Sequence, residues 1–425
     1  MDTWKISGGE SLFGSVRIPG AKNSVLPLMA ASLLCNGTVT LSDVPNLSDV
    51  AASRRILQSL GCTVRRKGRT LSITQGAELG SAVPEECMRA MRSSVFYLAP
   101  LVARTGRALI YTPGGCRLGA RPIDLHLKGL ADMGAQIRQA GNALEVTAPN
   151  GLRGAQISLR FPSVGATETL LMAAVCARGE TVLRGVAVEP EVRDLIRFLQ
   201  SAGACITGAG SRTLHIMGRD FLSGTQFRPC PDRITAATVL CAVAGCGGEV
   251  LLNNTCNDDL LPVTRILRRA GCAILSCGPR SLAISSCGRA SGVESLFTDV
   301  HPAFPTDAAP LMGAALLRAR GETAITDTIF ENRFSCAEGF SALGGSVNVS
   351  GRTLYVHGVP ALRAARLCAP DLRGGAALVI AALQAEGESF LTETGHIMRG
   401  YEDLPALFGA LGAKIVPVRD WDENL

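Results

Sequence analysis

The stretch Gly179-Glu-Thr-Val-Leu183 joins an apolar helical pattern to a short β pattern, and similar junctions recur along the chain. In each of them a glycine ends a helical run and opens a strand; the others stand at Gly37, Gly106, Gly248, Gly321 and Gly387. Their spacing is roughly 70 residues, which is longer than the period of the common short solenoid repeats. The sequence therefore predicts six units of similar structure.

Each unit carries a second helical pattern that closes on another glycine. We interpret these glycines as helix C-caps; they are Gly61, Gly134, Gly203, Gly271, Gly344 and Gly412. Two short alternating segments follow each cap, as in Ala204-Cys-Ile-Thr and Leu214-His-Ile-Met, and this alternation is typical of paired strands. The predicted unit is β-α-β-α-β-β, and the predicted fold class is α/β (α+β).

The sixth unit lacks its last strand, because Ala413-Lys-Ile-Val-Pro-Val leads directly into the C-terminal tail. Trp4-Lys-Ile-Ser, near the N-terminus, resembles the final strands of the other units. We therefore expect the N-terminal strand to complete the last unit. Six units divide into two domains of three, 21–230 and 1–20 plus 231–425, and ligands often bind in clefts between domains.

Composition indicates a globular protein with an aliphatic core, since 47% of the 425 residues are hydrophobic and only 4% are aromatic. The longest apolar run, 25–35, is too short to cross a bilayer, and the N-terminus lacks a signal-peptide pattern. Fifteen cysteines without a Cys-x-x-Cys pair argue against a disulfide framework and a structural zinc site. We expect a cytosolic protein with reduced thiols.

The net charge of +6 comes from arginines that are scattered along the chain. A nucleic-acid-binding protein usually shows a basic stripe with aromatic residues or a recognisable motif around it. No such stripe is visible, so we expect no nucleic-acid partner. Arginines gathered in a cleft would instead suit a small, strongly anionic ligand.

The segment from Tyr111 to His126 contains the strongest candidate for a reactive side chain. It contains Cys116 between glycines and prolines that disfavour regular structure, so we predict a loop. Arg117 and Arg121 supply positive charge that lowers the pKa of a nearby thiol. An inert, buried cysteine in a surface loop is the alternative, and for Cys116 we favour the reactive thiol.

Basic residues stand at the starts of several first helices of the units. The clearest are Lys22, Arg92, Arg233 and Arg373. A cation at a helix N-terminus meets the positive end of the helix dipole, which is mildly unfavourable. For Lys22 and Arg92 we infer that a phosphate or carboxylate of a ligand binds there. For Arg233, pairing with a neighbour such as Asp232 is an equal alternative.

Several long motifs occur in the order that is typical of one family. They are Gly20-Ala-Lys22-Asn23, Met91-Arg92-Ser-Ser, the Cys116 loop, Pro162-Ser-Val-Gly-Ala-Thr167, Glu189-Pro-Glu191, Pro231-Asp-Arg-Ile234, His301-Pro-Ala-Phe-Pro-Thr-Asp307, Phe330-Glu-Asn-Arg333, Asp371-Leu-Arg373 and His396-Ile-Met-Arg399-Gly-Tyr-Glu402. Through them the chain resembles the enolpyruvyl transferase family over nearly its whole length, and especially the branch that acts on UDP-N-acetylglucosamine. The resemblance implies a two-domain inside-out α/β barrel with three repeats in each domain.

The resemblance also implies the reaction. Enolpyruvyl passes from phosphoenolpyruvate to the 3-hydroxyl of UDP-N-acetylglucosamine and phosphate is released, as the first committed step of peptidoglycan precursor synthesis. Lys22, Arg121 and Arg399 correspond to the family's cationic cradle for phosphoenolpyruvate. Cys116 corresponds to the acid that protonates the methylene carbon, and Asp307 to the base for the sugar hydroxyl. The resemblance implies no metal and no organic cofactor. The short apolar runs argue against membrane insertion, and the sequence leaves the oligomeric state open.

The family's contacts to the nucleotide sugar map onto a second set of residues. They are Asn23, Arg92, Arg121, Pro122, Ile123, Asp124, Leu125, Ser163, Val164, Gly165, Asp307 and Ile329. Matching motifs add three substrate-binding candidates, Arg333, Asp371 and Arg373. His126 also lies in a matching motif, but a structural role is an equal alternative for it.

Two departures from the family pattern keep other hypotheses open. Ala309-Pro310 stands where the family typically has a glutamine, and Ser335-Cys336 stands where it often has Met-His. A 3-phosphoshikimate-type transferase and a catalytically weak regulatory paralogue therefore remain alternatives. The shikimate branch lacks the cysteine loop and usually has Lys-Ser at Lys22-Asn23, so these residues favour the UDP-N-acetylglucosamine branch.

Overall fold

The computed structural model describes residues 3–111 and 123–418. Its strands are β1 (Thr3–Gly8), β2 (Leu12–Arg17), β3 (Cys35–Asn36), β4 (Thr38–Leu41), β5 (Thr63–Lys67), β6 (Thr70–Thr74), β7 (Arg107–Tyr111), β8 (Gln136–Ala140), β9 (Ala143–Thr147), β10 (Gln156–Ser158), β11 (Glu180–Arg184), β12 (Cys205–Thr207), β13 (Thr213–Met217), β14 (Leu222–Ser223), β15 (Gln226–Phe227), β16 (Gly248–Asn253), β17 (Ala273–Gly278), β18 (Ser281–Ser286), β19 (Glu294–Phe297), β20 (Glu322–Thr326), β21 (Ser346–Ser350), β22 (Thr353–His357), β23 (Arg366–Cys368), β24 (Gly387–Thr392) and β25 (Lys414–Val418).

The α-helices are α1 (Lys22–Ala31), α2 (Ser48–Ser59), α3 (Glu85–Ala90), α4 (Leu98–Thr105), α5 (Asp124–Asp132), α6 (Val164–Ala174), α7 (Pro190–Ser201), α8 (Arg233–Cys246), α9 (Leu261–Arg269), α10 (Ala309–Ala315), α11 (Ala337–Ala342), α12 (Leu372–Gln384) and α13 (Leu404–Gly409). Short 3-10 segments cover Ser32–Leu34, Arg92–Tyr97, Asp258–Leu260, Thr306–Ala308 and Thr394–Arg399. In the ranges that the structure describes, no helix has the length and apolar character that crossing a membrane requires.

The described chain separates into two compact units. The first unit comprises residues 20–111 and 123–230, and the second comprises residues 3–19 and 231–418. Each unit has its own cluster of buried, mainly aliphatic side chains. Two separate cores are expected, because single cores rarely grow beyond about 250–300 residues.

Three sheets of the first unit contain three or four strands, with strand orders β15-β4-β6-β5, β7-β9-β8 and β10-β11-β13-β12. In the first and third of these sheets the outer strand is parallel to its neighbour, while the remaining pairs are antiparallel. Parallel neighbours need a crossover connection, and α6 provides it between β10 and β11. In the second sheet a parallel bridge between Ala82 and Leu109 takes the place of the outer strand.

The second unit repeats this plan, with strand orders β17-β18-β16-β2, β19-β20-β22-β21 and β23-β24-β1-β25. Strand β1 lies between β24 and β25 and is antiparallel to both, with Trp4 opposite Leu391 and Pro417. It is the strand that the sequence pattern places at the end of the last unit. The predicted α/β class is confirmed, while the inside-out barrel stays a prediction.

The predicted cap glycines have the backbone conformation that ends a helix. Their φ angles are all positive and lie between 86° and 102°. Gly203, for example, has φ 102° shortly after α7 ends at Ser201. Side chains disfavour this left-handed region, which explains why glycine recurs at these positions. The prediction of helix C-caps is confirmed.

Three helices, α8, α10 and α12, form the centre of the second unit and pack on one another. Almost all of their residues are buried, as a helix that is apolar on every side requires. At their C-terminal ends, Nε2 of Gln384 on α12 donates a 2.8 Å hydrogen bond to the carbonyl of Ala314 on α10. A Cβ on Gly245 of α8 would lie 2.6 Å from the same amide, so a larger residue there would force the Gln384 side chain to move. The N-terminal ends meet at the opposite side of this bundle.

Candidate functional site

The N-terminal ends of these central helices bring a carboxylate and two arginines together. Arg373 on α12 donates a hydrogen bond from Nε to Oδ1 of Asp307 at 3.2 Å. Arg333, in the loop after β20, places Nη1 3.8 Å from the same oxygen. The side chains of Arg333 and Arg373 are 1% and 6% exposed, whereas that of Asp307 is 28% exposed. Asp307 is therefore the accessible member of this cluster.

The arginines decide the protonation of Asp307. Burial alone would raise the pKa of its carboxyl, but Arg373, Arg333 and Arg233 together hold that pKa well below its usual range. Opposite charges at short distance stabilise the carboxylate. Asp307 is thus ionised at neutral pH, yet it is a weak base while these positive charges are uncompensated. Its predicted role as general base stays a prediction, and it requires an anion that offsets the arginines.

Tyr401 and Thr238 hold Arg373 in place. Nη1 of Arg373 donates to the Tyr401 hydroxyl at 3.4 Å, and its guanidinium carbon lies 5.7 Å from the centre of the tyrosine ring. The same hydroxyl is 2.7 Å from Oγ1 of Thr238. Tyr401 lies in one of the family motifs, but the sequence alone predicts no role for it. Sequence reasoning missed Thr238, because a threonine inside an apolar helix gives no signal of its own.

Asp371 is the N-cap of α12. Its Oδ1 accepts hydrogen bonds from the backbone N–H groups of Arg373 at 2.9 Å and Gly374 at 3.0 Å. Its Oδ2 accepts the hydroxyl of Ser335 at 2.7 Å. Asp232 caps α8 in the same way. An aspartate at this position satisfies free N–H groups and favours the helix dipole. Substrate contact by Asp371 stays a prediction.

At each of the two departures from the family pattern, one residue fits its local surroundings. Ser335 supplies the hydroxyl that binds Asp371. Pro310 is in the first turn of α10, where the missing N–H breaks no hydrogen bond within the helix. Neither residue disrupts the cluster around Asp307.

In the first unit, Lys22 begins α1 and forms a buried ion pair. Its Nζ lies 2.7 Å from Oδ2 of Asp49 on α2, and the two side chains are 9% and 5% exposed. The aspartate offsets both the desolvation of the ammonium and its unfavourable position at a helix N-terminus. Asn23 is exposed beside it. Sequence reasoning missed Asp49, whose only signal is its place in the first turn of an amphipathic helix.

His126, Arg92 and Gly165 come together elsewhere in the first unit. His126 is 6% exposed, and its Nε2 would be 3.1 Å from a Cβ on Gly165. Burial, and then the charge of Arg92, lower the pKa of His126 to about 4. The imidazole is therefore neutral at physiological pH. Ser163 starts α6 as its N-cap, because Oγ accepts the N–H of Ala166 at 3.3 Å.

The remaining candidates lie at element ends or outside the described ranges. Asp124 begins α5, so the predicted loop through His126 is wrong from Asp124 onward. The reason is local, since the preceding glycines and prolines dominate the pattern. Half-buried positions are taken by Ile123, Leu125, Val164, Ile329 and Arg399. Cys116, Arg121 and Pro122 fall outside the described residues, so their roles stay predictions.

Most of the described cysteines are shielded to some degree. Burial raises the pKa of the Cys35 thiol to about 12 and that of Cys62 to about 11. The exposed ones are Cys205, Cys277, Cys287 and Cys368. Within 3–111 and 123–418, no group of three or more His, Cys, Asp or Glu side chains is arranged to hold a metal ion.

Comparison with known proteins places the chain in a family. A family model described as EPSP synthase (3-phosphoshikimate 1-carboxyvinyltransferase) matches residues 6–407. A curated relative from Gluconobacter oxydans, named UDP-N-acetylglucosamine 1-carboxyvinyltransferase, is 44% identical over 422 residues, which cover 99% of this chain and 100% of the relative. A relative from Caldanaerobacter subterraneus, named UDP-N-acetylglucosamine 1-carboxyvinyltransferase 2, is 41% identical over 98% of this chain and 100% of its own length.

Solved structures agree with this placement. The enolpyruvyl transferase NikO from Streptomyces tendae has a TM-score of 0.87 and 25% identity, with 98% of this chain and 100% of that chain covered. An EPSP synthase from Acinetobacter baumannii has a TM-score of 0.77 at 20% identity, over 98% and 100% of the two chains, and shows likeness of fold alone. With a family model across most of its length and relatives above 40% identity end to end, this chain belongs to the EPSP synthase family of enolpyruvyl transferases.

Proposed function

We propose that this protein is a UDP-N-acetylglucosamine 1-carboxyvinyltransferase, which transfers enolpyruvyl from phosphoenolpyruvate to the 3-hydroxyl of UDP-N-acetylglucosamine and releases phosphate. One observation carries this proposal. Relatives with that name are 41% and 44% identical to the chain over its whole length, whereas the solved EPSP synthases are only 19% and 20% identical. On this proposal the protein acts in the cytoplasm, in the synthesis of peptidoglycan precursors.

The proposed reaction is an addition followed by an elimination. The sugar oxygen bonds to C2 of phosphoenolpyruvate while its proton passes to Asp307, and C3 takes a proton from Cys116. The resulting adduct then loses phosphate from C2 and a proton from C3, which restores the double bond in the product. General acid–base catalysis of this kind typically contributes about a hundredfold to ten-thousandfold to the rate.

The surroundings of Asp307 suit a base whose strength depends on the substrate. In the free protein Arg373 and Arg333 hold the pKa of Asp307 low. An anionic substrate that binds near these arginines offsets their charge, and the pKa of the carboxyl then rises toward the range in which it accepts a proton. The carboxylate would therefore gain basicity only when the substrate is present.

Two further groups of residues have proposed binding roles. Lys22, with Arg121 and Arg399, would bind the carboxylate and phosphate of phosphoenolpyruvate, since charge-assisted hydrogen bonds favour both groups. The nucleotide sugar would contact Asn23, Arg92, Arg121, Pro122, Ile123, Asp124, Leu125, Ser163, Val164, Gly165, Asp307 and Ile329. Three residues of the matching motifs, Arg333, Asp371 and Arg373, are further candidates for substrate binding. Asp49 would keep the Lys22 ammonium aligned, because its carboxylate is 2.7 Å away.

The deciding experiment measures phosphate release from phosphoenolpyruvate with different acceptors. We expect release with UDP-N-acetylglucosamine, a product heavier by one enolpyruvyl group in mass spectrometry, and no release with shikimate 3-phosphate. Asp307→Asn should bind the nucleotide sugar but lose at least about a hundredfold in turnover. Absence of release with UDP-N-acetylglucosamine would overturn the proposal.

The same assay separates the two alternatives. The family model's own description names the shikimate enzyme, and release with shikimate 3-phosphate alone would favour that activity. Tight binding of UDP-N-acetylglucosamine without phosphate release would favour a catalytically weak paralogue on the same scaffold.

A further inference from the structure

Asp327 is a fully buried carboxylate at the end of β20, with 0% of its surface exposed. Its Oδ1 accepts hydrogen bonds from the backbone N–H groups of Ile329 at 2.9 Å and Phe330 at 2.6 Å. Its Oδ2 accepts a hydrogen bond from the hydroxyl of Thr306, the residue before Asp307. One side chain therefore joins the loop after β20 to the segment that carries Asp307.

Arg333 depends on the same two side chains. Its Nε donates to Oγ1 of Thr306 at 2.9 Å and lies 3.8 Å from Oδ2 of Asp327. Its guanidinium carbon is 4.7 Å from the centre of the Phe330 ring, and Phe330 is itself held through its N–H by Asp327. The direction in which Arg333 faces Asp307 is thus set by Thr306, Phe330 and Asp327.

The residues gathered here share one proposed role. Asp307, Ile329 and Arg333 are candidates for binding the acceptor nucleotide sugar. Ile329 donates its backbone N–H to Asp327. Asp307 and Arg333 are connected to Asp327 through Thr306, which precedes Asp307 in the chain and accepts a hydrogen bond from Arg333. In the second unit, the phosphoenolpyruvate candidate Arg399 stands instead at the end of the separate 3-10 segment Thr394–Arg399. Damage to the Asp327 contacts should therefore affect one substrate more than the other.

We propose that Asp327 is a positioning residue for the acceptor: it does not touch substrate, but it fixes Ile329, Arg333 and the Asp307 segment in the geometry that binds UDP-N-acetylglucosamine. This inference rests on the proposed function. A buried carboxylate is needed because it must accept several hydrogen bonds at once and balance the adjacent guanidinium. A hydrogen bond that involves a charged group is stronger than one between neutral groups.

The sharpest test is a matched pair of changes at Thr306. Thr306→Val keeps the size of the side chain but removes the hydroxyl that links Asp327 to Arg333, and Thr306→Ser keeps that hydroxyl. We expect Thr306→Val to raise the Kd and KM for UDP-N-acetylglucosamine about ten- to a hundredfold. The KM for phosphoenolpyruvate at saturating acceptor should change by less than about twofold, which corresponds to less free energy than one hydrogen bond typically contributes. Thr306→Ser should restore acceptor binding.

Asp327→Asn tests the carboxylate directly and should shift the acceptor constants in the same direction. Glu331→Gln is the matched control, because it removes an exposed carboxylate from the same loop, where Glu331 pairs with Arg352 at 3.0 Å. This control variant should leave the Kd and KM for UDP-N-acetylglucosamine and the KM for phosphoenolpyruvate unchanged. Calorimetric titration gives the Kd, steady-state phosphate release gives the KM values, and thermal melting reports folding.

Three results would overturn the inference: unchanged acceptor constants in Thr306→Val, equal rises for both substrates, or failure of Thr306→Ser to restore binding. Should Asp327→Asn fail to fold, the Thr306 pair decides alone. If the unmodified protein releases no phosphate with UDP-N-acetylglucosamine, it is the proposed function that fails. Calorimetry on Thr306→Val and Thr306→Ser still tests the inference in that case, and absence of UDP-N-acetylglucosamine binding by the unmodified protein would overturn it as well.

Discussion

Nε of Arg373 lies 3.2 Å from Oδ1 of Asp307, so the residue proposed as the catalytic base begins as half of an ion pair. The arginine is nearly buried, while the aspartate keeps 28% of its side chain exposed. This relationship stabilises the carboxylate and at the same time weakens it as a proton acceptor. Substrate anions that offset the charge of the arginine would make Asp307 a stronger proton acceptor, and substrate binding would thereby promote catalysis.

The pH profile of turnover should reveal this pairing. Asp307 must be ionised to act as a base, so activity is lost as the pH falls through its pKa, which the arginines hold low. Arg373→Gln removes the largest of these contributions, and the acid limb of kcat/KM, which reports the ionisation of the free protein, should therefore move to higher pH. Arg352→Gln, an exposed arginine paired with Glu331, serves as the control. An acid limb that stays in place in Arg373→Gln would contradict the assigned coupling.

The ion pair between Lys22 and Asp49 should matter for both stability and binding. Asp49→Asn removes the carboxylate beside a buried ammonium, which typically costs about 3–5 kcal/mol in the free energy of unfolding. The KM for phosphoenolpyruvate should rise as well, because Lys22 loses its alignment. Chemical denaturation and steady-state kinetics measure the two effects.

A double variant separates the two roles of this pair. Lys22→Met with Asp49→Leu replaces both charges by apolar groups of similar size, so most of the lost stability should return. Activity should stay low, since the ammonium is gone. Recovery of activity together with stability would show that Lys22 has no role in binding.

The repeated part of the fold could be predicted because its signals are local. Gly203 and its five counterparts mark helix ends through a backbone conformation that a single residue type favours. The N-terminal strand could be placed because Trp4-Lys-Ile-Ser has the alternation of the other closing strands. Such patterns need no knowledge of which elements touch.

The partners of the site residues could not be predicted, because they come from distant positions. Lys22 and Asp307 stand in recognisable motifs, but Asp49, Asp327 and Tyr401 become their partners or supports only after the helices and loops pack. Asp327 illustrates the difficulty, since a single aspartate after a strand looks like an ordinary turn residue. The start of α5 at Asp124 was missed for the opposite reason, because nearby glycines and prolines suggested a longer loop.

A buried carboxyl in the first unit should make stability depend on pH. Glu168 is 1% exposed, and within the described residues neither of its oxygens has a hydrogen-bond partner. Burial, and then the charges of Glu191 and Glu189, raise its pKa well above the usual range. The folded protein therefore keeps a proton that the unfolded chain releases above about pH 4.3. Stability from this group is full below that pH and declines as the pH rises.

Glu168→Gln should remove this dependence, because glutamine resembles the protonated carboxyl. We expect the variant to melt at a higher temperature than the unmodified protein at pH 8, with the difference shrinking toward pH 5. A gain of about 1 kcal/mol corresponds to roughly 2–4 °C for a unit of this size. Glu388→Gln, at a carboxylate that is 54% exposed, is the control. A melting difference that is the same at every pH would refute the assignment of the proton to Glu168.

The thiol of Cys116 falls outside the described residues, and its predicted reactivity can be tested with an epoxide. Fosfomycin, a phosphonate epoxide that resembles phosphoenolpyruvate, should label Cys116 first. Arg117 and Arg121 would attract its phosphonate and favour the reactive thiolate.

Buried thiols such as Cys35 should stay unlabelled, because burial raises the pKa of this thiol to about 12. The exposed Cys205, Cys277, Cys287 and Cys368 are internal controls for simple accessibility. Peptide mapping by mass spectrometry should find Cys116 labelled faster with UDP-N-acetylglucosamine present and more slowly with excess phosphoenolpyruvate. The prediction would be wrong if the exposed cysteines were labelled as fast as Cys116, or if neither substrate changed the rate of labelling.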